Sequence, residues 1–439
     1  MEEQMNNLIG NYMDFISDCK TERKCVSRIE QEARENGYRS IDEFESITFG
    51  DKVFVNKMGK SIALFEVGTG DISEGMNILC AHLDSPRLDV KQNPVYEKEG
   101  IVYLNTHYYG GIKKYQWVAI PLAIHGVVCL KDGSSIEVNI GDEDGDPVFC
   151  VSDILPHIAQ EQMKKPASDF IEAEKLDLLM GAFFEENTGK EKILAILKEK
   201  YGIDEVDFIS SELEVVPAGK ARECGLDRSL ILGYGQDDRV CGYSSAKAMF
   251  ESKAGSRTNC CLLVDKEEIG SCGATGMRSR FLDNAVADVV AKMNKPYSEY
   301  TVRKTLENSM MLSSDVNSAY DPLNSELYDK QNSSFLGKGV VFNKYTGSRG
   351  KSGASDANPE FIAKLRGQLE AHEVTFQTAE MAKVDVGGGG TIALYAAYYG
   401  MQVIDCGVAV LSMHAPWEIT SRFDVEQAFA AYKAFLLIG

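Results

Sequence analysis

Residues 260–268, CCLLVDKEE, carry the pattern that decides the fold, because an apolar run passes there directly into an acidic pair. A short run that is apolar throughout and bounded by charge is typical of a strand buried on both faces. Runs of the same form occur elsewhere in the chain and end in small or charged residues: 77–81, 310–312 and 408–411. Each of the four runs therefore predicts a buried strand.

Helical patterns lie between and after these runs. Residues 243–254 form one such pattern, and a second begins at Asp424. In the second, four apolar residues recur at helical spacing: Val425, Phe429, Tyr432 and Leu436. Residues at this spacing share one face of a helix. Strands that alternate with helices predict an α/β fold, a three-layer sandwich whose central sheet is mostly parallel.

The middle of the chain has a different pattern. Asp132-Gly133 lies between the apolar residues 126–130 and the alternating residues 135–140, which predicts a β-hairpin. A helical pattern at residues 190–201 follows, with Gly202 in place to end the helix. We predict an inserted β-rich domain at residues 94–228, which divides the main domain into residues 1–93 and 229–439.

Composition excludes several classes of protein. The 439 residues include 66 acidic and 46 basic ones, and a net charge of -20 argues against a nucleic-acid partner. The N-terminus has no uninterrupted apolar core, and no run elsewhere reaches the length of a membrane span, so we expect neither signal peptide nor membrane anchor. Eleven scattered cysteines without a CxxC pair predict reduced thiols and a cytoplasmic location.

Two motifs place side chains that can bind a metal ion at the end of a predicted strand or the start of a predicted helix. His82 comes directly after residues 77–81, and Asp84 stands two residues further on, where it would orient the imidazole. The crevice at the carboxyl ends of strands is where ligands bind in open α/β sheets. Asp237 and Asp238 precede a predicted helix. A merely hydrogen-bonded histidine and an aspartate that caps the helix are the alternatives for these two motifs.

The acidic pair Glu267-Glu268 carries a stronger signal. Two adjacent glutamates at the end of a buried strand are unfavourable unless a cation neutralises them or one of them is protonated. One of the two would bind a metal ion, and the other would take a proton from an activated water. An exposed turn is the alternative interpretation.

Two more candidates, Asp315 and His414, follow residues 310–312 and 408–411. Five ends of predicted strands or helices that carry His, Asp, Glu, Asp and His exceed what caps and stray core polar residues would supply. Oxygen and imidazole ligands without thiolate suit zinc, with cobalt or manganese as substitutes. One carboxylate shared by two ions about 3.5 to 4 Å apart is the arrangement of two-metal hydrolases.

At these motifs the sequence resembles the M18 family of metallo-aminopeptidases, the aspartyl aminopeptidase group, over nearly the whole chain. The resemblance implies a zinc-exopeptidase type of fold with two zinc ions per subunit. It implies that Asp237 bridges the ions, that His82 and Asp315 complete one metal site, and that Glu268 and His414 complete the other.

The same resemblance assigns Glu267 as the general base for hydrolysis of the N-terminal residue of peptides. Acidic N-terminal residues would be preferred in that group. Two departures weaken this expectation: Val316-Asn317-Ser318 stands where eukaryotic members have Met-Ala-His, and residues 349–356 differ from that branch. A neutral or basic preference and a non-catalytic metal-binding assembly protein are the alternatives. The M42 aminopeptidases share the Asp-Asp-Arg and Glu-Glu patterns but lack the segment around His157.

The segment at residues 153–159 resembles the M18 stretch whose histidine reaches the active site of a neighbouring subunit, here His157. Without the family, His157 is an ordinary buried or capping residue. By the same resemblance the insert is a dimerisation domain, and the enzyme is a homo-oligomer, a dodecamer built from dimers.

Two loops are expected to bind the peptide substrate by similarity to the family. Lys344, in residues 342–347, would meet the substrate's terminal side chain or carbonyl. Asp385 and Gly389 belong to a second loop, where the glycines at 387–390 would let the backbone approach the substrate closely. A surface lysine and a flexible turn are the alternatives.

Overall fold

The computed structural model describes residues 2–183, 188–293 and 296–439. By its internal contacts the chain divides into two compact units. The first unit comprises Met1–Asp84, Ala221–Met413 and Glu418–Gly439. The second comprises Ser85–Lys220 together with the short segment His414–Trp417.

The helices and strands of the described residues are numbered separately in chain order. The helices are α1 Glu2–Asp18, α2 Glu22–Glu35, α3 Ala167–Phe170, α4 Gly189–Tyr201, α5 Gln236–Glu251, α6 Phe281–Lys292, α7 Glu299–Glu307, α8 Pro359–Ala371, α9 Ala393–Ala397 and α10 Arg422–Leu436. The strands are β1 Arg39–Ser40, β2 Lys52–Lys57, β3 Ser61–Glu66, β4 Met76–His82, β5 Arg87–Lys98, β6 Ile101–Tyr109, β7 Leu122–Cys129, β8 Ser135–Ile140, β9 Leu178–Ala182, β10 Ser211–Pro217, β11 Arg222–Cys224, β12 Leu230–Gly233, β13 Thr258–Val264, β14 Met310–Ser313, β15 Asn317–Ser318, β16 Val340–Asn343, β17 Phe376–Thr378, β18 Gln402–Gly407, β19 Ala409–Leu411 and β20 Glu418–Ser421.

The largest sheet of the first unit has nine described strands in the order β1-β2-β3-β13-β4-β14-β18-β16-β17. Its centre, β13-β4-β14-β18, is parallel throughout, and antiparallel pairs occur only towards the edges. Every residue of β4, β13 and β14 is buried. Central strands covered on both faces require continuous apolar sequence, which explains the runs that the sequence shows.

Alternate residues of these strands enter two hydrophobic clusters. Leu79 and Leu263 join a cluster that contains residues of α1, α2, α5, α8 and α10. Ile78 and Leu262 join a second cluster, which contains residues of α6, α7 and α9. Because successive strand side chains point to opposite faces, helices cover the sheet on both sides.

The helix that follows β12 is buried on all sides. In α5, 14 of 16 residues are buried, many of them small or polar, so the helix lacks an amphipathic pattern. The helix predicted over residues 243–254 therefore covers only the second half of α5. The predicted helix also extends three residues past the observed end at Glu251. The helix predicted from Asp424 is confirmed as α10, which begins at Arg422.

A five-stranded sheet, in the order β11-β12-β20-β19-β15, completes the sheets described in the first unit. The strand predicted over residues 408–411 is confirmed as β19, which begins one residue later, at Ala409. The chain forms β18 in the nine-stranded sheet and then β19 in the five-stranded sheet, and Val408 lies between the two strands.

The second unit contains a six-stranded antiparallel sheet in the order β8-β7-β10-β5-β6-β9. The predicted hairpin is confirmed as β7 and β8, which pair antiparallel from Ile124 opposite Ile140 to Cys129 opposite Ser135. The predicted helix is confirmed as α4, and it ends at Gly202, whose φ of 74° is readily adopted by glycine.

The chain as a whole is a mixed α/β protein with several sheets, as the sequence predicts. Across the described ranges, none of the helices combines the length and apolar content that a bilayer crossing requires.

Candidate metal centre

Three neighbouring parallel strands bring most of the predicted ligands to one edge of the nine-stranded sheet. In the order β13-β4-β14, Val264 lies beside His82 and Ser313 lies beside Cys80. His82 is the last residue of β4, and a short 3-10 turn at Glu267–Ile269 follows β13. Because parallel strands end at the same edge, side chains that follow them converge there.

The side chains form a tight cluster within the first unit. Ligand atoms of His82, Asp237 and Asp315 all lie within 4.8 Å of one another, as do those of His82, Glu267 and Glu268. His82 Nε2 lies 3.2 Å from Asp237 Oδ1 and 3.9 Å from both Asp315 Oδ1 and Glu267 Oε2. One imidazole nitrogen is thus surrounded by three carboxylates.

Asp84 fixes the orientation of this imidazole. The Asp84 carbonyl oxygen lies 3.0 Å from His82 Nδ1, and a carbonyl only accepts hydrogen bonds, so Nδ1 carries the proton. With Nδ1 as the donor to this carbonyl, Nε2 of the neutral ring would have its lone pair free to bind a metal ion together with the carboxylates. The Asp84 carboxylate also accepts the backbone N–H groups of Glu267 at 3.1 Å and Glu268 at 3.2 Å. Asp84 therefore ties the histidine to the acidic pair.

Asp237 does not cap α5, which removes the alternative interpretation of that motif. The residue in the capping position is Gly235, without a side-chain capping bond. Asp237 and Asp238 have non-helical backbone angles, so the regular turns of α5 follow them, as the sequence predicts. The Asp237 N–H donates to Glu418 Oε2 at 3.1 Å, and the His82 N–H donates to Asp238 Oδ2 at 3.3 Å.

The electrostatics of the cluster favour a bound cation. His82 and Asp237 are 1% and 4% exposed. Burial alone lowers the pKa of His82, but hydrogen bonds to Asp237 and Asp84 outweigh this effect and raise that pKa well above its usual value. Burial and the nearby charges of Asp238 and Asp237 raise the pKa of Asp315. Several buried carboxylates that repel one another are stabilised by a divalent ion.

The chemistry of the donors fits zinc. The cluster offers one imidazole nitrogen and carboxylate oxygens, a set that zinc accepts, and it contains no thiolate. The interpretation of Glu267 and Glu268 as an exposed turn is excluded, because both residues are partly buried beside His82.

His414 follows β19 and belongs to the segment His414–Trp417 of the second unit. Its Nδ1 lies 2.8 Å from the carbonyl oxygen of Gly111 in the same unit. As at His82, a carbonyl acceptor places the proton on Nδ1 and leaves Nε2 as the nitrogen with a lone pair in the neutral ring.

His157 lies on the surface of the second unit, in a short 3-10 turn at Pro156–Ile158. It is exposed, which excludes the buried alternative. Large apolar side chains near it in sequence are also exposed, by 48 to 69%: Ile154, Leu155, Ile158 and Met163. We call residues 153–163 the His157 loop.

The two predicted substrate loops contact each other in the first unit. The Gly347 N–H donates to the Gly389 carbonyl at 2.6 Å. Gly388 has a φ of +136°, and a Cβ atom there would lie 1.9 Å from the Gly347 carbonyl oxygen. Lys344 and Asp385 are both exposed. The glycines are thus required for a close approach of backbone to backbone, which replaces the alternative of a merely flexible turn.

Glu418 is a site residue that sequence reasoning missed. It is 1% exposed in β20 and holds the Asp237 backbone across 181 positions of sequence. Its only signal was an acidic residue at the start of a short strand, next to Trp417. The hydrogen bond from the His82 backbone N–H to Asp238 likewise had no signal in the sequence.

Imidazole and carboxylate groups gathered at the carboxyl ends of parallel strands are the donor set of metallohydrolase centres. The profile of the M18 family, described as aminopeptidase I zinc metalloprotease, matches residues 15–436. The chain belongs to the M18 family, and it is a zinc-dependent aminopeptidase.

Close relatives extend over the full length of the chain. The probable M18 family aminopeptidase 1 of Clostridium acetobutylicum is 55% identical, covering 97% of this chain and 93% of its own. The crystal structure of an M18 aminopeptidase from Thermotoga maritima superposes with a TM-score of 0.96 at 42% identity, covering 99% of this chain and 97% of its own. The S. cerevisiae mApe1 dodecamer shares the fold, with a TM-score of 0.79 at 20% identity and coverage of 99% and 97%.

Proposed function

We propose that the chain removes the N-terminal residue of peptides at a centre of two zinc ions, with Glu267 as the general base. The main support for this proposal is that the carboxylates of Asp237, Asp315 and Glu267 surround the Nε2 atom of His82. A site that only stored metal would have no use for a base beside its ligands.

The ligands divide into two sets by resemblance to the family. His82, Asp237 and Asp315 would hold one ion, and Asp237, Glu268 and His414 would hold the other. Cobalt or manganese would occupy the same ligands. Bound zinc supplies Lewis acidity, which polarises the scissile carbonyl and makes a water acidic enough to be deprotonated near neutral pH.

Glu267 moves the proton in this scheme. Its backbone is held by Asp84, and its side chain is 18% exposed, so the carboxylate reaches the open side of the cluster. The Glu267 carboxylate takes one proton from the attacking water. After the new C–O bond forms and the C–N bond breaks, the same proton passes to the departing amine.

Asp84 and Glu418 keep this machinery in place. Asp84 holds His82 in one tautomer and fixes both glutamates through their N–H groups. Glu418 holds the Asp237 backbone where the helix departs from regular angles. Such support restricts the ligands to one arrangement before metal binds.

His157 completes the site in a neighbouring subunit, where it would stabilise the developing oxyanion. The exposed apolar side chains of the His157 loop support this role, because burial against a second copy would remove them from water. The insert, residues 94–228, would then be the dimerisation domain beside a three-layer catalytic domain of residues 1–93 and 229–439. The yeast relative is a dodecamer, and we propose the same assembly from dimers here.

The substrate is an unfolded peptide or oligopeptide whose first residue lies near Lys344 and the loop that carries Asp385 and Gly389. Lys344 is an exposed cation without an ion pair among the described residues, which would suit an acidic N-terminal side chain. A neutral or basic preference remains the alternative. All eleven cysteines are free, in keeping with a reducing, cytoplasmic location.

The test is Glu267→Gln in the zinc-loaded enzyme, assayed with a panel of aminoacyl chromogenic substrates. We expect zinc content to stay at the wild-type level while turnover falls by about 10² to 10⁴, the typical contribution of a positioned general base. Glu45→Gln, at an exposed glutamate away from the cluster, is the matched control and should leave turnover unchanged. Near wild-type turnover in Glu267→Gln would remove the assignment of the base.

A further inference from the structure

The second unit contains a cavity that the peptidase reaction does not use. Its volume is about 280 Å³, and it lies between α4 and the six-stranded sheet. Ile193 and Leu197 of α4 line one side, and Leu104, Val138 and Leu179 of the sheet line the other. The cavity therefore has a mostly apolar lining.

Its size and lining indicate the kind of molecule that fits. A cavity of about 150 Å³ lined by Leu, Ile and Phe stays dry and binds benzene. In proportion, a cavity of 280 Å³ accommodates an aliphatic chain of roughly ten carbon atoms. Water would find few polar partners here, so an apolar occupant is favoured over solvent.

Among the residues that line the cavity in the described part of the chain, Lys200 alone is charged. It is exposed and lies in the last turn of α4. The other lysines of this helix have partners: Lys190 pairs with Glu205, Lys198 with Asp204, and Lys192 lies over the Phe183 ring. Lys200 has no ion pair within the described ranges, so its ammonium group is available to an anion.

An apolar cavity with one free cation at its border suits an amphiphile with a negative head group. We propose that the second unit binds a medium-chain aliphatic carboxylate, with the chain in the cavity and the carboxylate at Lys200. Tyr201, which also lines the cavity, has a hydroxyl that would donate to the same carboxylate. Val148 and Ile196, which are 53% and 42% exposed, mark a route of entry from solvent.

The experiment is isothermal titration calorimetry of the full chain with decanoate, decanol and decylamine, each below its micelle concentration. We expect saturable binding of decanoate at one molecule per chain, weaker binding of decanol, and the weakest binding of decylamine. Lys200→Gln should weaken decanoate binding about tenfold and leave decanol binding unchanged, because only the charge-assisted bond is lost. Lys198→Gln, on the same helix but outside the cavity, is the matched control and should bind decanoate like the wild type.

Val138→Phe and Leu179→Phe each fill the cavity from the sheet side and should abolish binding of all three probes. Retained aminopeptidase activity and an unchanged circular dichroism spectrum show that either variant is folded. Several results would overturn the proposal: no binding of decanoate by the wild type, equal decanoate affinity in Lys200→Gln, or unchanged binding in a folded cavity-filling variant. A change of oligomeric state in Val138→Phe, without decanoate binding by the wild type, would assign the cavity to a second copy of the chain instead.

Discussion

The metal centre and the His157 loop present opposite surfaces to their surroundings. The metal centre buries polar groups, with His82, Asp237 and Asp238 each less than 5% exposed. The His157 loop exposes apolar groups, with Ile158 and Met163 more than 65% exposed. Each is unfavourable by itself, and by our proposal each would be relieved by a different addition: a cation for the buried carboxylates, and a second subunit for the exposed loop.

This contrast distinguishes zinc binding, for which the first unit supplies most of the groups, from turnover, for which we expect a second subunit to be needed. His82, Asp84, Asp237 and Glu267 are held by hydrogen bonds within the first unit. The binding of one zinc ion is therefore expected to need only a folded chain, whereas full turnover is expected to need assembly. Two variants test this difference between the metal centre and the His157 loop.

His157→Ala should give the larger effect. Loss of an oxyanion donor typically lowers kcat by 10² to 10³, and zinc content should stay unchanged because His157 lies outside the ligand cluster. Mixed assemblies of His157→Ala and Glu267→Gln chains should regain activity, since each chain supplies what the other lacks. His372→Ala, at an exposed histidine in the first unit, is the matched control.

The measurement is turnover after the two inactive variants have been dissociated and reassembled together. Recovered turnover requires sites built from two chains. If the mixed assemblies stay as inactive as either variant alone, while size-exclusion chromatography shows that they have mixed, His157 does not act across a subunit boundary.

Gly388→Ala should give a smaller effect, confined to substrate binding. An added Cβ would collide with the Gly347 carbonyl, and the φ of +136° disfavours any side chain, so the contact between the two loops must open. We expect KM to rise about tenfold with little change in kcat, which corresponds to roughly 1.4 kcal/mol of substrate binding. Gly350→Ala, where an added Cβ meets no atom within 4 Å, is the control. An unchanged KM would show that these loops do not bind the substrate.

The sequence predicted those features that depend on residues close together in the chain, namely buried strands and the polar side chains that directly follow them. The runs at β4, β13 and β14 are apolar because both faces of the sheet are covered, and the ligands follow them directly. Their meeting at one edge follows from parallel pairing, which the α/β pattern predicts. The sequence therefore predicted that His82, Asp84, Glu267 and Asp315 lie close together, and the structure places the three carboxylates 3.4 to 3.9 Å from the His82 ring nitrogens.

Features that depend on distant or non-periodic contacts were not predictable from sequence. The helical pattern was recognised only from residue 243 because a helix buried on all sides has no amphipathic period. Glu418 was missed because its bond to Asp237 spans most of the second half of the chain. The strand β18 was not predicted because Gln402, Asp405 and Gly407 interrupt its apolar pattern.

The most direct test of the proposed centre of two zinc ions is an anomalous difference map at the zinc absorption edge, measured on crystals of the zinc-loaded enzyme. We predict two peaks per chain about 3.5 to 4 Å apart, which is the spacing in two-metal hydrolases. One peak should be bound by His82, Asp237 and Asp315, and the other by Asp237, Glu268 and His414. A single peak, or a peak away from His82 and Asp237, would contradict the proposal that these residues hold two zinc ions.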